Sequence, residues 1–529
     1  MRRLSAIAIA WLSLTAVASA ADSMARPARP NIVLILADDL GFSDLGCYGS
    51  EIATPNLDRL AAGGLRFSRF YNAARCCPTR ASLLTGRFPH QAGVGHMTRD
   101  LGSPGYLGRL NAQSPTIAEL LRAAGYHCLM SGKWHLGDLR PHQPLDHGFE
   151  HYWGLLGGAN SYFGCWSNRR MAEDDRPYHP PAQGYYITDA ITDRAIGFLD
   201  EYARKPEPFF LYVAYTAPHA PLHALPEDIA RYRGKYLPGW NVLRQQRYAR
   251  LVESGLIDGR WPLSSRDPEA APWLNVKDKD REDLKMAVYA AQVDRMDRGI
   301  GRILERLRQR GVGENTLVLF LSDNGGDSEE IDESKPGSLP GEPNSNLGYG
   351  RPWANLSNVP FRLHKRYVHE GGIATSLIVH WPAVIRQGGR IDHGVGHVVD
   401  ILPTCLEVAG AGYPASFRGA PIPPTAGISL VPSFEGRERP AHECLVWEHE
   451  GNRAIRCGRW KLVAVHGGKW QLYDMDADRT ELRDRSRDKP EKVAELLARY
   501  EAFAERWGIR PWDEVQQTAP SRPVRPPPG

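Results

Sequence analysis

The feature that most constrains this chain is a recurrence of short, uninterrupted apolar runs separated by amphipathic stretches of helix length. Runs of strand length lie at 31–37, 209–215, 316–321 and 377–380, and helical stretches lie at 114–124 and 283–308. The strand runs are rich in β-branched and aromatic residues, which indicates burial on both faces of a sheet. The pattern predicts an α/β fold, in which helices pack on a sheet.

After about residue 435 the pattern changes to shorter strands, at 443–447, 453–457, 460–465 and 470–474, with a helix at 490–507. This order predicts a smaller C-terminal α+β subdomain in which a helix packs on an antiparallel sheet. We therefore predict a large domain over 30–434, the subdomain over 435–515 and a proline-rich, disordered tail over 516–529. A chain of 529 residues is long enough for one large core and one small one.

The first 20 residues have the composition of a secretory signal peptide. Arg2 and Arg3 precede a short apolar run, which ends at the small residues Ala18, Ser19 and Ala20. The run is too short for a transmembrane helix, and no later apolar stretch reaches the required length. We therefore predict a secreted or periplasmic protein with a cleaved signal over 1–20 and no membrane span. The net charge of +4 is not gathered into a basic block, so it gives no case for a nucleic-acid partner.

Polar residues follow three of the predicted strands. Asp38 and Asp39 follow the first, His219 follows the second, and Asp323 and Asn324 follow the third. Ligands bind beyond the carboxyl ends of parallel strands, so we expect these side chains to converge. Three carboxylates and an amide oxygen suit Ca²⁺ or Mg²⁺, although each group alone would also suit a helix cap or a turn.

The eight cysteines are too sparse for a disulfide framework, and no CxxC pair indicates a zinc or redox site. Cys76 and Cys77 are adjacent, which is a poor arrangement for a disulfide between them. Pro78 suits the first turn of a helix and would place Cys76 just before the positive helix end, where a thiolate or an anionic ligand is stabilised. A buried apolar cysteine, or half of a disulfide, is the alternative interpretation.

The segment 76–87, with Cys76-x-Pro78-x-Arg80 followed by Thr85-Gly86, resembles the signature of the formylglycine-dependent sulfatases. The resemblance runs in order from about 30 to 432, through the segments 31–39, 131–137, 322–325 and 360–372. The small C-terminal sheet is also similar to that of the family. The resemblance implies the alkaline phosphatase-like fold, which is a large mixed, mostly parallel sheet sandwiched by helices, with 30–434 as the catalytic domain. It also implies a sulfuric ester hydrolase of the arylsulfatase type.

The resemblance also implies that a formylglycine-generating maturation enzyme oxidises Cys76 to formylglycine (3-oxoalanine). Hydration to a gem-diol would then supply the attacking oxygen. One Ca²⁺, with Mg²⁺ as the alternative, would bind a sulfate oxygen and withdraw charge from sulfur. The implied metal ligands are Asp38, Asp39, Cys76, Asp323 and Asn324.

Five further residues receive roles from the same resemblance. Arg80 and Lys133 would stabilise the diol as an alkoxide. His219 and Lys365 would bind the sulfate and protonate the departing alcohol. His135 would take the proton from the second hydroxyl and so expel sulfate.

Several alternatives accompany these predictions. His364 competes with Lys365, and His223 and Trp353 are placed by position alone at the mouth of the pocket. A phosphonate or phosphate monoester or diester hydrolase of the same superfamily is the alternative enzyme, since some of these relatives use the same formylglycine. A phosphate-specific site would tend to carry two metals, but no second Asp-x-x-x-His cluster lies next to Asp323. A catalytically inactive binding protein would not need the complete set of site residues. The substrate is a small-molecule or carbohydrate sulfate ester, and its alcohol is left open as aryl, steroid or sugar.

Overall fold

The computed structural model describes residues 29–518. The predicted signal peptide, 1–20, and the tail beyond 518 lie outside the described residues. The tail was predicted to begin at 516, but residues 516–518 belong to the last helix, Trp512–Thr518. Within 29–518, no helix combines the length and the apolar composition that crossing a bilayer requires.

Ten strands form the large sheet. They are β1 (Asn31–Asp38), β2 (Leu65–Tyr71), β3 (His127–Gly132), β4 (His151–Leu155), β5 (Met171–Glu173), β6 (Arg176–Tyr178), β7 (Phe209–Pro218), β8 (Thr316–Ser322), β9 (Ala374–His380) and β10 (Arg390–His397). Their order is β10-β2-β9-β8-β1-β7-β3-β4-β5-β6. The five neighbours from β8 to β4 are parallel, whereas β9 is antiparallel to β8 and β2, and β5 and β6 form an antiparallel edge. The predicted mixed, mostly parallel sheet is confirmed.

Helices cover both faces of this sheet. The helices are α1 (Pro55–Ala62), α2 (Cys76–Thr85), α3 (Pro89–Ala92), α4 (Ile117–Ala123), α5 (Ile187–Tyr202), α6 (Pro226–Ala230), α7 (Trp240–Glu253), α8 (Lys279–Gln309), α9 (Arg351–Ser357), α10 (Glu370–Ile373), α11 (Ile401–Val408), α12 (Val431–Phe434), α13 (Pro490–Trp507) and α14 (Trp512–Thr518). Along β1, Val33 and Ile35 pack in one core with α5 and α8, whereas Leu34 and Leu36 pack in a second core with α2, α4 and α11. Successive side chains of a strand point to opposite faces, so this two-sided burial requires the unbroken apolar run.

Two helix starts differ from the prediction. α4 begins after Thr116, not at 114, because Thr116 and Glu119 cap each other: the Thr116 hydroxyl accepts from the Glu119 amide at 3.1 Å, and the Glu119 carboxylate accepts from the Thr116 amide at 2.8 Å. α8 begins at Lys279, where the Asp278 side chain accepts from the amide of Arg281 at 2.9 Å. Both starts are set by side-chain caps, which apolar periodicity does not reveal.

The C-terminal region forms a separate sheet, after a short hairpin of β11 (Ser416–Phe417) and β12 (Ala420–Pro421). Its four antiparallel strands, in chain order, are β13 (Leu445–His449), β14 (Asn452–Cys457), β15 (Trp460–Ala464) and β16 (Gln471–Asp474). α13 packs on this sheet through Leu496 and Tyr500. A disulfide joins Cys444 to Cys457 beside the first hairpin of this sheet, with Cα atoms 4.2 Å apart. The predicted antiparallel sheet with its helix is confirmed.

Six buried polar side chains join the small sheet to the large one. We call them the seam cluster: Tyr71, Glu370, Arg456, Lys461, Arg479 and Glu481. Glu370 accepts hydrogen bonds from Lys461 Nζ at 3.0 Å and from Arg479 Nε at 2.8 Å. Lys461 Nζ also lies 2.8 Å from Glu481 Oε1. These charges are removed from water but have partners of opposite sign, which a buried charge requires.

Candidate active site

The carboxyl ends of the central parallel strands carry polar residues. Asp38 ends β1 and Asp39 follows it, while Lys133, His219 and Asp323 come directly after β3, β7 and β8. β1 pairs with both β7 and β8, and β3 pairs with β7. Parallel pairing therefore brings these four strand ends, and the side chains beyond them, to the same edge of the sheet.

α2 brings Cys76 and Arg80 to this edge. Cys76 is the first residue of the helix, not the residue before it as predicted, and Arg80 lies about one turn further on the same face. Arg80 donates from Nε and Nη2 to Asp323 Oδ2, at 3.1 and 2.8 Å. Its Nη1 donates to the carbonyl oxygen of Lys133 at 3.0 Å. Cys77 points away from this edge into the apolar core around α2.

These side chains form one group with the other residues selected from the sequence. We call it the site cluster: Asp38, Asp39, Cys76, Arg80, Lys133, His135, His219, Asp323, Asn324 and Lys365. All are buried except His219, whose side chain is 17% exposed. Lys133 Nζ lies 2.5 Å from Asp38 Oδ2, and Lys365 Nζ lies 2.8 Å from Asp39 Oδ2. The structure therefore brings all of the selected residues together.

Part of the site cluster has the donor atoms of a cation site. Four residues place ligand atoms within 4.8 Å of one another: Asp38, Asp39, Cys76 and His219. Asp38 Oδ1 and Asn324 Oδ1 are buried and have no hydrogen-bond partner among residues 29–518. Asp323 Oδ1, in contrast, accepts from the Asp39 amide at 3.2 Å. Unsatisfied buried oxygens are costly, and a hard divalent cation is the ligand that oxygen donors of this kind fit.

The two histidines of the site cluster are in opposite electrostatic environments. Burial lowers the pKa of His135 well below its usual value, and the charges of Lys133 and Arg80 lower it further, so its imidazole is neutral. Burial also lowers the pKa of His219, but the Asp39 carboxylate more than offsets this and raises it to about 9. A neutral imidazole can accept a proton and a protonated one can donate it, so the pair suits opposite steps of a reaction.

The backbone at the site is held in an uncommon conformation. Asp39 has φ 66° and His135 has φ 59°, both in the left-handed region. Residues other than glycine adopt it rarely, and they do so where the surrounding structure fixes a side chain. Gly158 packs against His135, since a Cβ on Gly158 would lie 2.5 Å from two atoms of the imidazole ring. The His135 ring is therefore held from one side by backbone that tolerates no side chain.

The site cluster opens into a cavity of about 520 Å³, a volume within the range of small-molecule sites. Cys76, His135, His219 and Lys365 line it. Arg80 is not among the lining residues and is fully buried. The groups that can touch a ligand are thus separated from the groups that hold them in place.

A family model described as "Sulfatase" matches residues 30–411, well over half of the chain, and a second, described as "N-sulphoglucosamine sulphohydrolase, C-terminal", matches residues 361–502. The chain belongs to the sulfatase family. This sulfatase is 35% identical over 429 residues to the arylsulfatase of Klebsiella aerogenes, covering 77% of this chain and 92% of the relative. It is 30% identical over 437 residues to the N-acetylgalactosamine-6-sulfatase of Homo sapiens, covering 78% of this chain and 68% of the relative.

Solved structures agree with this assignment. Ps i-CgsB in complex with k-i-k-neocarrahexaose is similar to this sulfatase with a TM-score of 0.67 and 29% identity, over 90% of this chain and 93% of that one. The fold is the alkaline phosphatase-like fold of the family, and the chain is a sulfuric ester hydrolase.

Around Lys365, the structure of this sulfatase separates two candidates and adds a residue. Lys365 Nζ donates to Asp39 Oδ2 at 2.8 Å, whereas His364 Nδ1 lies 2.8 Å from the Ser328 hydroxyl. Lys365, and not His364, therefore reaches the site cluster. Lys365 also donates to Asp327 Oδ2 at 2.9 Å. Sequence analysis missed Asp327, although an acid four residues after Asp323, beyond two glycines, was a signal that could have identified it.

Two residues predicted at the mouth of the pocket lie elsewhere in this sulfatase. His223 is fully buried, with Nε2 2.6 Å from the Ser345 carbonyl oxygen. Trp353 is also fully buried, and its indole nitrogen donates to Glu282 at 2.9 Å. Neither lines the cavity, so the prediction for both is wrong. The position of these two residues in the sequence was therefore not a guide to whether their side chains line the cavity of the site cluster.

Proposed function

We propose that this sulfatase is an arylsulfatase-type hydrolase whose nucleophile is made by oxidising Cys76 to formylglycine. The observation that carries the proposal is the place of Cys76: it is buried at the start of α2, lines the cavity and lies among the carboxylates and cations of the site cluster. Hydrated formylglycine supplies the attacking oxygen. Cys77 does not line the cavity, so the adjacent cysteine is not an equivalent candidate.

One divalent metal, Ca²⁺ or Mg²⁺, completes the proposed site. Asp38, Asp39, Asp323 and Asn324 would hold it beside residue 76. The unpartnered oxygens of Asp38 and Asn324 support the fit, because they are hard donors without another ligand. When bound, the metal supplies a Lewis acid that withdraws charge from the sulfate group.

Arg80 and Lys133 provide positive charge that is fixed before the substrate arrives. Arg80 is held by Asp323, and the same guanidinium binds the carbonyl oxygen of Lys133. The effect on residue 76 is visible in its pKa: burial raises the pKa of the Cys76 thiol, but Lys133 and Lys365 outweigh it and lower the pKa to about 7. The same field stabilises an anionic oxygen at this position, as preorganised electrostatic catalysis requires.

His219 and His135 divide the proton transfers. His219 Nδ1 lies 2.5 Å from the Ala220 carbonyl oxygen, which leaves Nε2, 3.5 Å from Asp39, to donate a proton to the departing alcohol. His135 is neutral, and its Nδ1 has no partner within the described residues. It accepts a proton at residue 76 in the step that releases inorganic sulfate.

The substrate is a sulfate ester of an aromatic alcohol or of a sugar. Support comes from the relatives, which include an arylsulfatase, an N-acetylgalactosamine-6-sulfatase and a structure that holds a neocarrahexaose. The cavity volume of about 520 Å³ suits an alcohol of this size.

We also propose that the chain is exported after removal of residues 1–20. The Cys444–Cys457 disulfide supports export, since disulfides persist in oxidising compartments. N-terminal sequencing of protein from the periplasm or medium should begin after residue 20. A mature protein that retains its first residues would contradict the proposal.

The function is tested on protein produced together with a formylglycine-generating enzyme. Mass spectrometry of the peptide that contains Cys76 and Cys77 should show the aldehyde at 76 alone. Sulfate release from nitrophenyl sulfate and from a panel of sugar sulfates should scale with the modified fraction. Full activity with unmodified Cys76 would contradict the proposed nucleophile. Modified, metal-loaded protein that cleaves no sulfate ester would contradict the proposed function.

A further inference from the structure

Two arginines line the cavity without belonging to the site cluster. Arg75 directly precedes Cys76, and Arg169 lies in the segment between β4 and β5. The site cluster already supplies His219 and Lys365 for the sulfate that is cleaved, and Lys133 for the nucleophile. Arg75 and Arg169 therefore add positive charge to the cavity beyond that of the residues proposed to act at the sulfate group.

Arg75 is a mostly buried cation with few partners. Its side chain is 13% exposed, and its Nε and Nη1 atoms are buried without a hydrogen-bond acceptor in the part of the chain that the structure describes. Its ion-pair partner is Glu329, at 3.5 Å, and Glu329 is shared with Arg366 at the same distance. Guanidinium N–H groups left unsatisfied in a buried position cost free energy, and an anion entering the cavity would satisfy them.

Arg169 is half-buried, and among residues 29–518 no carboxylate forms an ion pair with it. Its Nε is also buried without an acceptor. Arg169 lies beside the backbone that covers His135: a Cβ on Gly157 would be 3.9 Å from Arg169 Cδ, and the next residue, Gly158, packs on the His135 ring. An uncompensated guanidinium thus faces the cavity close to a reacting group.

The acidic residues that line the cavity do not cancel this charge. Of the four acids that line the cavity, buried Asp327 is paired with Lys365 at 2.9 Å, and Glu329 is shared between Arg75 and Arg366. The other two, Asp138 and Glu333, are exposed, so water and salt screen them more than the arginines. Trp166 lines the same cavity and adds a flat apolar surface of the kind that packs against a ring. Outside the site cluster, the lining of the cavity thus combines two partly buried cations with an aromatic face.

We propose that Arg75 and Arg169 bind a second anionic group, a carboxylate or a further sulfate, on the alcohol side of the substrate. The preferred substrate is then a sulfated sugar that carries a second negative charge. Guanidinium groups bind such planar or tetrahedral oxyanions through paired, charge-assisted hydrogen bonds. The inference rests on the proposed function and adds the chemical class of its alcohol.

The test compares three substrates: a neutral sugar monosulfate, a sulfated uronic acid and a sugar disulfate. We expect the wild type to favour the two doubly charged sugars in kcat/KM. In Arg75→Gln and Arg169→Gln this preference, expressed as the ratio to the neutral sugar, should fall by about 10- to 100-fold, the effect of losing a hydrogen bond to a charged group. Arg75→Lys should retain part of the preference, because lysine keeps the positive charge but lacks the paired N–H donors of the guanidinium group.

Arg170→Gln is the matched control, since Arg170 is exposed, adjacent to Arg169 and not among the residues that line the cavity. Formylglycine content is measured in every variant, so that a change next to Cys76 is not mistaken for poor maturation. A fall in preference for the uronic acid alone identifies a carboxylate, and a fall for the disulfate alone identifies a sulfate. Equal ratios in wild type and both Gln variants would overturn the inference. Failure of the wild type on every sulfate ester would instead overturn the proposed function.

Discussion

The site cluster and the seam cluster are both buried groups of acids and bases, and both leave some polar atoms without a hydrogen bond, yet they differ in access from outside. In the seam cluster, both carboxylate oxygens of Glu370 accept hydrogen bonds, from Lys461, Arg479 and Tyr71. Arg479 Nη2 and Glu481 Oε1 of that cluster have no hydrogen bond within the described residues. In the site cluster, Asp38 Oδ1 and Asn324 Oδ1 have no partner within the described residues. The site cluster also opens into a cavity, whereas the seam cluster is enclosed between two sheets.

The comparison shows that burial and charge do not by themselves mark an active site. Both clusters shift the pKa values of their members, because both hold charges in low dielectric. What distinguishes the site cluster is the combination of unsatisfied donors and acceptors with access from outside. We therefore expect substitutions in the site cluster to reduce activity with little effect on stability, and substitutions in the seam cluster to do the reverse.

The largest expected effect is that of Cys76→Ala. It removes the proposed nucleophile and should lower kcat by about 10⁴-fold or more. The side chain is small and buried, so the free energy of unfolding should change by about 1 kcal/mol or less. Cys77→Ala is the control and should stay active, because Cys77 faces the apolar core. Steady-state kinetics measures kcat and chemical denaturation measures the free energy of unfolding for both variants. An active Cys76→Ala enzyme would contradict the assignment of Cys76 as the source of the nucleophile.

Substitution of the histidines should separate the two proton transfers. His219→Gln should slow cleavage of esters with poor leaving groups by about 10²–10⁴-fold and should affect activated phenols much less, since these depart without a proton. His135→Gln should reduce turnover by a factor that does not depend on the leaving group. The measurement is the dependence of kcat/KM on the pKa of the alcohol across a series of aryl sulfates. Equal dependence in both variants would show that the roles are wrongly assigned.

In the seam cluster, Glu370→Gln should lower the free energy of unfolding by about 3–5 kcal/mol, since it leaves Lys461 and Arg479 buried without their anion. Activity per folded, formylglycine-containing molecule should remain. Glu305→Gln is the control, because Glu305 pairs with Arg308 on the exposed face of α8 and its loss should have little effect. A stable Glu370→Gln protein that has lost activity would break the comparison between the clusters.

The difference in the free energy of unfolding between wild type and Glu370→Gln should depend on pH. Burial raises the pKa of Glu370, but Lys461 and Arg479 outweigh burial and lower it from 4.5 to about 2. The ionised carboxylate therefore stabilises the fold fully above about pH 4.5, and this contribution is lost as the pH falls through 2. The stability gap between wild type and Glu370→Gln should narrow over that range in denaturation curves measured at a series of pH values.

The sequence predicted those parts of the molecule that depend on local pattern. The unbroken apolar run of β1 indicated a two-sided sheet, and the acids that follow it indicated one edge of the site. The register of Pro78 and Arg80 relative to Cys76 distinguished Cys76 from Cys77. The two-sided sheet is confirmed, because strand burial is a property of neighbouring residues, whereas the oxidation of Cys76 stays a prediction.

Features that depend on contacts between distant segments were not predictable in this way. Glu370 and Lys461 are 91 residues apart, and no local sequence pattern around either residue predicts their ion pair. Trp353 and His223 were misplaced for the same reason, since their neighbours in space come from other elements. Arg75 lies next to the signature, but the lack of hydrogen-bond acceptors for its Nε and Nη1 within the described residues is a property of the cavity and not of the sequence.

The smallest expected effect sharpens the comparison without relying on activity. If the unpartnered oxygens of Asp38 and Asn324 bind a cation, Ca²⁺ at 100 times its Kd should raise the free energy of unfolding of metal-free protein by about 2.7 kcal/mol. Asp38→Asn should abolish this increment, because it removes a charged ligand atom. Arg456→Gln, in the seam cluster, should be less stable but keep the full increment, since no member of that cluster offers a ligand atom to the site. Chemical denaturation with and without Ca²⁺ measures this increase in the free energy of unfolding for wild type, Asp38→Asn and Arg456→Gln. An undiminished increase in Asp38→Asn would show that the cation binds elsewhere.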